Sequence, residues 1–253
     1  MKALITGASS GIGREMAKYL AQKNIDLILV ARRKEKLEEL KKELSTNVEI
    51  IALDLSDTKN AYELYKKCKS KNIDILINNA GFGLFGNFYE TDLDKELEMI
   101  NVNVITPHIL TKLFLQDFIK KDSGYILNVC SSAGFMAGPK LNTYYATKNY
   151  LLKLSMAINE ELLQSKKNVQ VSALCPGPVD TEFNKVANGS FTVKAATPEY
   201  IAKYAIDNLF KKKMIIIPKL SMKLAIFGIR FIPYRLQLKF TYSIQHKKMN
   251  SNH

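Results

Sequence analysis

Tryptophan is absent from the 253 residues, and histidine and cysteine occur only three times each. His108, His246 and His253 are too few for a histidine-based metal centre, so no metal is expected. Cys68, Cys130 and Cys175 are widely spaced, odd in number and without a CxxC pair. They read as reduced interior thiols, not a disulfide framework, and a cytoplasmic protein is expected. No apolar run reaches the roughly 20 residues that cross a bilayer. The opening "MKALITG" passes directly into a β-like run, so no signal peptide is expected. Acidic residues are also missing from Lys211 onward, where ten Lys or Arg accumulate. The other 27 of the 37 basic residues are balanced by all 24 acidic ones, so most of the +13 net charge lies in the tail. This separates a nearly neutral globule from a strongly basic C-terminal surface.

What is present is apolar content of 47%, enough for one substantial core. Short β-branched runs at Lys2–Thr6, Leu27–Ala31, Val48–Leu53, Ile73–Ile77, Tyr125–Cys130 and Val169–Cys175 alternate with amphipathic stretches. In "RKEKLEELKKEL", Leu37, Leu40 and Leu44 share one helical face. Near-continuous apolar strands separated by helices predict βαβ units and a parallel sheet covered on both faces. The fold class is therefore α/β: a Rossmann-type, doubly wound sheet of about seven strands. "ANGSFTVKAATPE" (Ala187–Glu199) reads as a loop, followed by a helix from Thr197-Pro198 to about Lys212 and a last strand in "MIIIP". Residues 1–217 then form the main domain, and 218–253 a basic, apolar extension.

Directly after the first strand, "TGASSGIGRE" places Gly7, Gly11 and Gly13 before a helix. Glycine also marks ordinary turns. In a strand–loop–helix setting, however, it allows close backbone approach to a pyrophosphate at the helix N-terminus, which points to a dinucleotide site.

"TGASSGIG", "NNAG" (Asn78–Gly81), "NVNV" (Asn101–Val104), "CSSAG" (Cys130–Gly134), "YYATK" (Tyr144–Lys148) and "CPGPVDT" (Cys175–Thr181) stand in one order. Together they resemble the short-chain dehydrogenase/reductase family over roughly residues 2–217. The resemblance implies a nicotinamide cofactor bound along Gly7, Ser9, Ser10, Gly11, Ile12 and Gly13. It adds Asp54 and Leu55 near adenine, Asn79, Ala80 and Gly81 after the fourth strand, and Pro176, Gly177, Val179 and Thr181 beneath the nicotinamide. Asp54 also suits a plain strand-end turn, and Gly177 a plain turn residue.

The second strand ends "LVARR", with Ala31 where an acidic residue would accept from the ribose 2′-hydroxyl of NAD. Arg32 and Arg33 can instead grip a 2′-phosphate, so NADPH/NADP is expected over NADH. The alternative is two solvated arginines at a helix start, where cations are disfavoured. Many NADP-using relatives carry a basic residue where this chain has Ser10, and Arg14 is adjacent.

In "NTYYATKNY", Tyr144 and Tyr145 both lie within helical reach of Lys148, and spacing alone does not choose between them. The family pattern YxxxK selects Tyr144 and Lys148, with Ser131 thirteen residues earlier. The resemblance makes Tyr144 the proton donor, Lys148 the cation that eases its ionisation and a ligand of the nicotinamide ribose, and Ser131 the carbonyl-oxygen anchor. Asn103 matches the family asparagine that holds a water behind Lys148. Asn101 competes in register, and Thr106 stands where glycine is usual. Tyr145 and Tyr150 are then packing or substrate-wall residues, and Ala187–Thr197 a flap.

An oxidoreductase reducing a ketone or aldehyde to an alcohol is therefore expected, with a bulky apolar, lipid-like or 3-oxoacyl substrate favoured. The alternatives are a catalytically idle dinucleotide-binding sensor or scaffold, and an epimerase or dehydratase sharing YxxxK. A homodimer or homotetramer through the helices bearing Asn103 and Tyr144 is implied by the family. The basic extension either packs on the globule and walls the substrate site, lies on a membrane surface, or binds nucleic acid, the last being least expected.

Overall fold

Short apolar runs, most of them buried on both faces, supply the strands: β1 (Lys2–Thr6), β2 (Asp26–Ala31), β3 (Val48–Ala52), β4 (Ile75–Asn78), β5 (Gly124–Val129), β6 (Val169–Leu174) and β7 (Ile215–Ile216). The structure is a computed structural model that describes residues 1–182 and 195–250. The seven strands form one parallel sheet in the order β3-β2-β1-β4-β5-β6-β7. Chain order reverses between β1 and β4, which opens a crevice at the C-terminal strand ends, the place where such sheets bind ligands.

Helices α1 (Gly11–Gln22), α2 (Lys34–Glu43) and α7 (Pro198–Phe210) cover one face. Their Met16, Leu20, Leu37, Leu40, Ile201 and Ala205 share one core with the sheet, and the predicted Leu44 packs at its margin. Helices α3 (Lys59–Cys68), α5 (Thr106–Lys120) and α6 (Asn142–Gln164) cover the other, through Leu64, Phe114, Phe118 and Leu162. Helix α4 (Leu93–Ile100) runs into α5 through a single π-helical turn at Asn101–Ile105. Such a turn widens the backbone, and here it carries the asparagine pair.

The fold class agrees with the sequence reading, with differences at element ends. Pairing of β4 begins at Ile75, opposite Ala3, whereas Asp74 still faces the backbone of Lys2. Cys130 and Cys175 fall just beyond β5 and β6, and the last strand shortens to two residues ahead of Pro218. Helix α7 stops at Phe210 because Lys212 adopts a left-handed φ of 54°. The extension is helical: α8 (Leu220–Ile229) and α9 (Tyr234–Asn250), separated at Pro233. No described helix is long and apolar enough to cross a membrane.

Candidate active site

The glycine loop is held open by contacts that only glycine permits. Gly7 has φ of 65°, and a Cβ on Gly13 would stand 2.5 Å from the Gly7 carbonyl oxygen. Asn79 Nδ2 ties the loop to β4, donating to the carbonyls of Thr6 and Gly7 at 3.0 Å each. Thr6 Oγ1 accepts from the N–H groups of Asn79 and Ala80. Asn79 thus braces the loop with its side chain. The first intrahelical bond of α1 runs from Arg14 N to Ser10 O, and Ser10 makes no side-chain cap. Gly11, Ile12 and Gly13 therefore present helix N-terminal N–H groups beside a cleft of about 430 Å³ that the loop lines. A crowded glycine cradle and an uncapped helix start fit a dinucleotide pyrophosphate.

At the far end of this cleft the two arginines diverge. Arg32 turns towards Glu98, at 3.3 Å, and lies near Asp54. Arg33 Nη2 reaches Ser9 Oγ at 3.3 Å and Ser10 Oγ at 3.2 Å. It thereby brings a cation from the end of β2 to the loop position where Ser10 replaces a basic residue. Arg14 pairs with Glu43. Two residues at this end were not singled out from sequence: Glu182 accepts from Arg33 and from Lys36 Nζ, both at 2.8 Å. These hydrogen bonds pull the Glu182 carboxyl down to about 2. Asp54 lines the cleft while its Oδ1 accepts from Ser56 N and Oγ, so it is a turn former as well. Leu55, buried beside it, accepts at its carbonyl from Thr106 Oγ1 at 2.8 Å. The hydroxyl at the unusual Thr106 thus ties the β3–α3 loop to α5.

The other half of the cleft gathers Ser131, Tyr144 and Lys148. Ser131 begins the turn after β5 and accepts from Ala133 N at 3.1 Å. Tyr144 lies on the first turn of α6, and Lys148 Nζ stands 5.7 Å from its ring centre. Burial pushes the Tyr144 phenol well above its ordinary value, and a hydrogen bond with Ser131 works in the opposite direction. Burial pulls the Lys148 ammonium down, and its Nζ donates to Val129 O at 2.9 Å. Asn103 is the buried member of the asparagine pair. Its amide bonds both backbone groups of Phe82 and Thr147 Oγ1. Asn103 Oδ1 and Lys148 Nζ crowd the same open side of Gly81.

Tyr145 behaves differently from its neighbour. It packs over Gly138, and its hydroxyl accepts from Gln245 Nε2 of α9 at 2.6 Å. Tyr150 bonds His108. After β6, Pro176 O accepts from Ser132 N, Gly177 faces Met222 of α8, and Thr181 lies against Gly11. Val179 bridges to Ala196, so the described end of the expected flap, Ala195–Thr197, pairs beside the cleft. Residues 187–194 lie outside the described residues. Met222 and Gln245 bring both C-terminal helices against the site.

The sequence profile of the short chain dehydrogenase family matches residues 1–190. An NADP-dependent 3-hydroxy acid dehydrogenase of Schizosaccharomyces pombe is 33% identical over 231 residues, covering 85% of this chain and 88% of that protein. Among solved structures, a short-chain dehydrogenase of Sphingobium yanoikuyae in complex with NADPH superposes with a TM-score of 0.82 at 30% identity, covering 90% of this chain and 93% of the other. The bulky-bulky ketone specific alcohol dehydrogenase of Comamonas testosteroni gives a TM-score of 0.77 at 28% identity, with 92% and 94% covered.

Proposed function

The chain belongs to the short-chain dehydrogenase family, and we propose that within it this oxidoreductase is an NADPH-preferring carbonyl reductase. The observation that carries the reading is the convergence of Ser131, Tyr144 and Lys148 in the same cleft as the glycine loop. A bound nicotinamide supplies the hydride there. The Tyr144 phenol is protonated at neutral pH, the form that donates to a developing alkoxide, and burial disfavours its ionisation further. Ser131 anchors the carbonyl oxygen and shares its growing charge. Lys148, buried and directed at the Tyr144 face, favours the phenolate left behind, and Asn103 stands on the resupply side near Gly81.

Arg33 and Lys36 supply the preference for NADPH: two cations meet at one point and already hold a carboxylate, Glu182, in the manner of an anion. The substrate is a bulky apolar or 3-oxoacyl ketone. Leu141 and Tyr145 give the cleft an apolar wall, and relatives act on 3-hydroxy acids and bulky ketones by name. Leu93, Leu97, Ile105 and Tyr150, exposed on α4 to α6, suit a homo-oligomeric contact through those helices.

The test is NADPH oxidation by purified protein over a carbonyl panel that includes bulky ketones and long-chain 3-oxoacyl thioesters. Turnover lost in Tyr144→Phe is expected. Tight NADPH binding without turnover on any carbonyl would favour an idle sensor instead.

A further inference from the structure

Helix α8 is apolar nearly all round, "LSMKLAIFGI", yet Ile226 is its single buried residue. A helix of that composition ordinarily lies inside a core or in lipid. The anomaly extends through the corner into α9. Of the twenty large apolar side chains exposed among the described residues, ten fall between Leu220 and Tyr242. Phe231 is 74% exposed and Phe240 65% exposed, and Phe227 stacks edge-on against Phe231 at 5.4 Å between centres. This concentration is far denser than the scattered exposed apolar residues of an ordinary surface.

The corner itself is built rather than frayed. Gln237 Nε2 donates to Ile229 O at 2.9 Å and to Ile232 O at 2.6 Å, closing the carbonyl end of α8. Gln245 fastens α9 to the globule through Tyr145, and Thr241, one turn earlier, is buried as well. Leu236, Leu238, Phe240 and Tyr242 of the same helix remain exposed beside that attachment. Interleaved with the exposed apolar residues of the two helices and their corner are Lys223, Arg230, Arg235 and Lys239, also exposed, and no acidic residue follows Asp207 in the chain.

We propose that the exposed face of α8, its corner and α9 docks on an anionic lipid surface, with Phe227, Phe231 and Phe240 at the headgroup–acyl boundary and the basic residues on lipid phosphates. The charge argues for this occupant. Two copies of an exclusively cationic face repel one another, whereas anionic headgroups attract it. The many bare aromatic and aliphatic side chains favour lipid over nucleic acid. Ten residues of α8 make a helix of about 15 Å, half a hydrocarbon core, so the element lies on a bilayer and does not span it. Met222 and Gln245 connect the same helices to the cleft, which places its wall next to the docked surface.

The test is co-sedimentation of the full chain with phosphatidylcholine vesicles, with and without about a third phosphatidylglycerol. Binding to the anionic vesicles is expected, with weak binding to the neutral ones. Phe227→Asp/Phe231→Asp and, separately, Arg230→Glu/Arg235→Glu should each weaken partitioning at least about tenfold. All four side chains are exposed, so the melting curves of both variants should match wild type. Equal binding to neutral vesicles, no binding at all, or variants that bind like wild type would each overturn the proposal. So would a concentration-dependent dimer, or nucleic-acid binding, that the same variants abolish while vesicle binding is absent.

Discussion

Gln245 Nε2 donates to the Tyr145 hydroxyl at 2.6 Å, joining the last helix to the first turn of α6 across a hundred residues of sequence. Both side chains are buried at the cleft wall. Gln245→Ala leaves the phenol without its partner and should cost about 1 kcal/mol, read as a lower urea midpoint. Because this bond holds the wall and not the reacting atoms, KM for bulky ketones should rise more than kcat falls. An equal loss in kcat with KM unchanged would move Tyr145 into the chemistry.

The neighbouring tyrosine should respond in the opposite way. Tyr144→Phe removes the hydroxyl that meets Ser131 and the only phenol placed over Lys148 among the described residues. A loss in kcat of roughly 10²–10⁴ is expected with the Kd for NADPH within a few-fold of wild type. Tyr145→Phe should retain most of kcat. If Tyr145→Phe were the inactive variant, the assignment of the proton donor would fall.

In the proposed function, cofactor choice is assigned to Arg33, Lys36 and Glu182. Arg33→Ala should weaken NADPH binding by roughly 10–100-fold, the range for a lost charge-assisted contact, and leave NADH nearly unchanged. Glu182 is ionised at neutral pH, and its cations keep it so in acid by pulling its carboxyl down to about 2. It therefore competes with a 2′-phosphate for the same two side chains. Glu182→Gln should tighten NADPH and have little effect on NADH, measured by fluorescence titration of each cofactor. A parallel change for both cofactors would remove the competition argument.

What was legible in the sequence follows from how locally each feature is encoded. The parallel sheet was readable because β1, β4 and β6 are nearly unbroken apolar runs, and burial on both faces demands that pattern. Positions 131, 144 and 148 lie in ordered motifs, so their meeting could be anticipated through the family resemblance. Spacing alone left Tyr144 and Tyr145 equal and the family pattern chose Tyr144, whereas the bond to Gln245 that sets Tyr145 apart is a contact no periodicity encodes. Glu182 and Lys36 were missed because their roles arise from a bridge between the segment after β6 and the start of α2. Helices α8 and α9 carry weak amphipathic signals, and the strand-like interleaving of basic and apolar residues hid their helical form.

Cys68 gives a stability test independent of the cleft. It closes α3 with no exposed surface, and burial pushes its thiol from 9.0 up to about 11. Below about pH 9 the thiol is neutral whether the chain is folded or not, so its contribution to stability is complete there. Between 9 and 11 the unfolded chain gains the thiolate while the folded one resists it, and stability should fall by about 2 kcal/mol by pH 11. Urea midpoints near pH 8 and pH 11, for wild type and Cys68→Ala, separate this from the lysines and tyrosines common to both. Cys68→Ala should start lower because of the small cavity it leaves, yet lose less on going alkaline. Equal losses in the two proteins would mean that the buried thiol does not govern the alkaline limb.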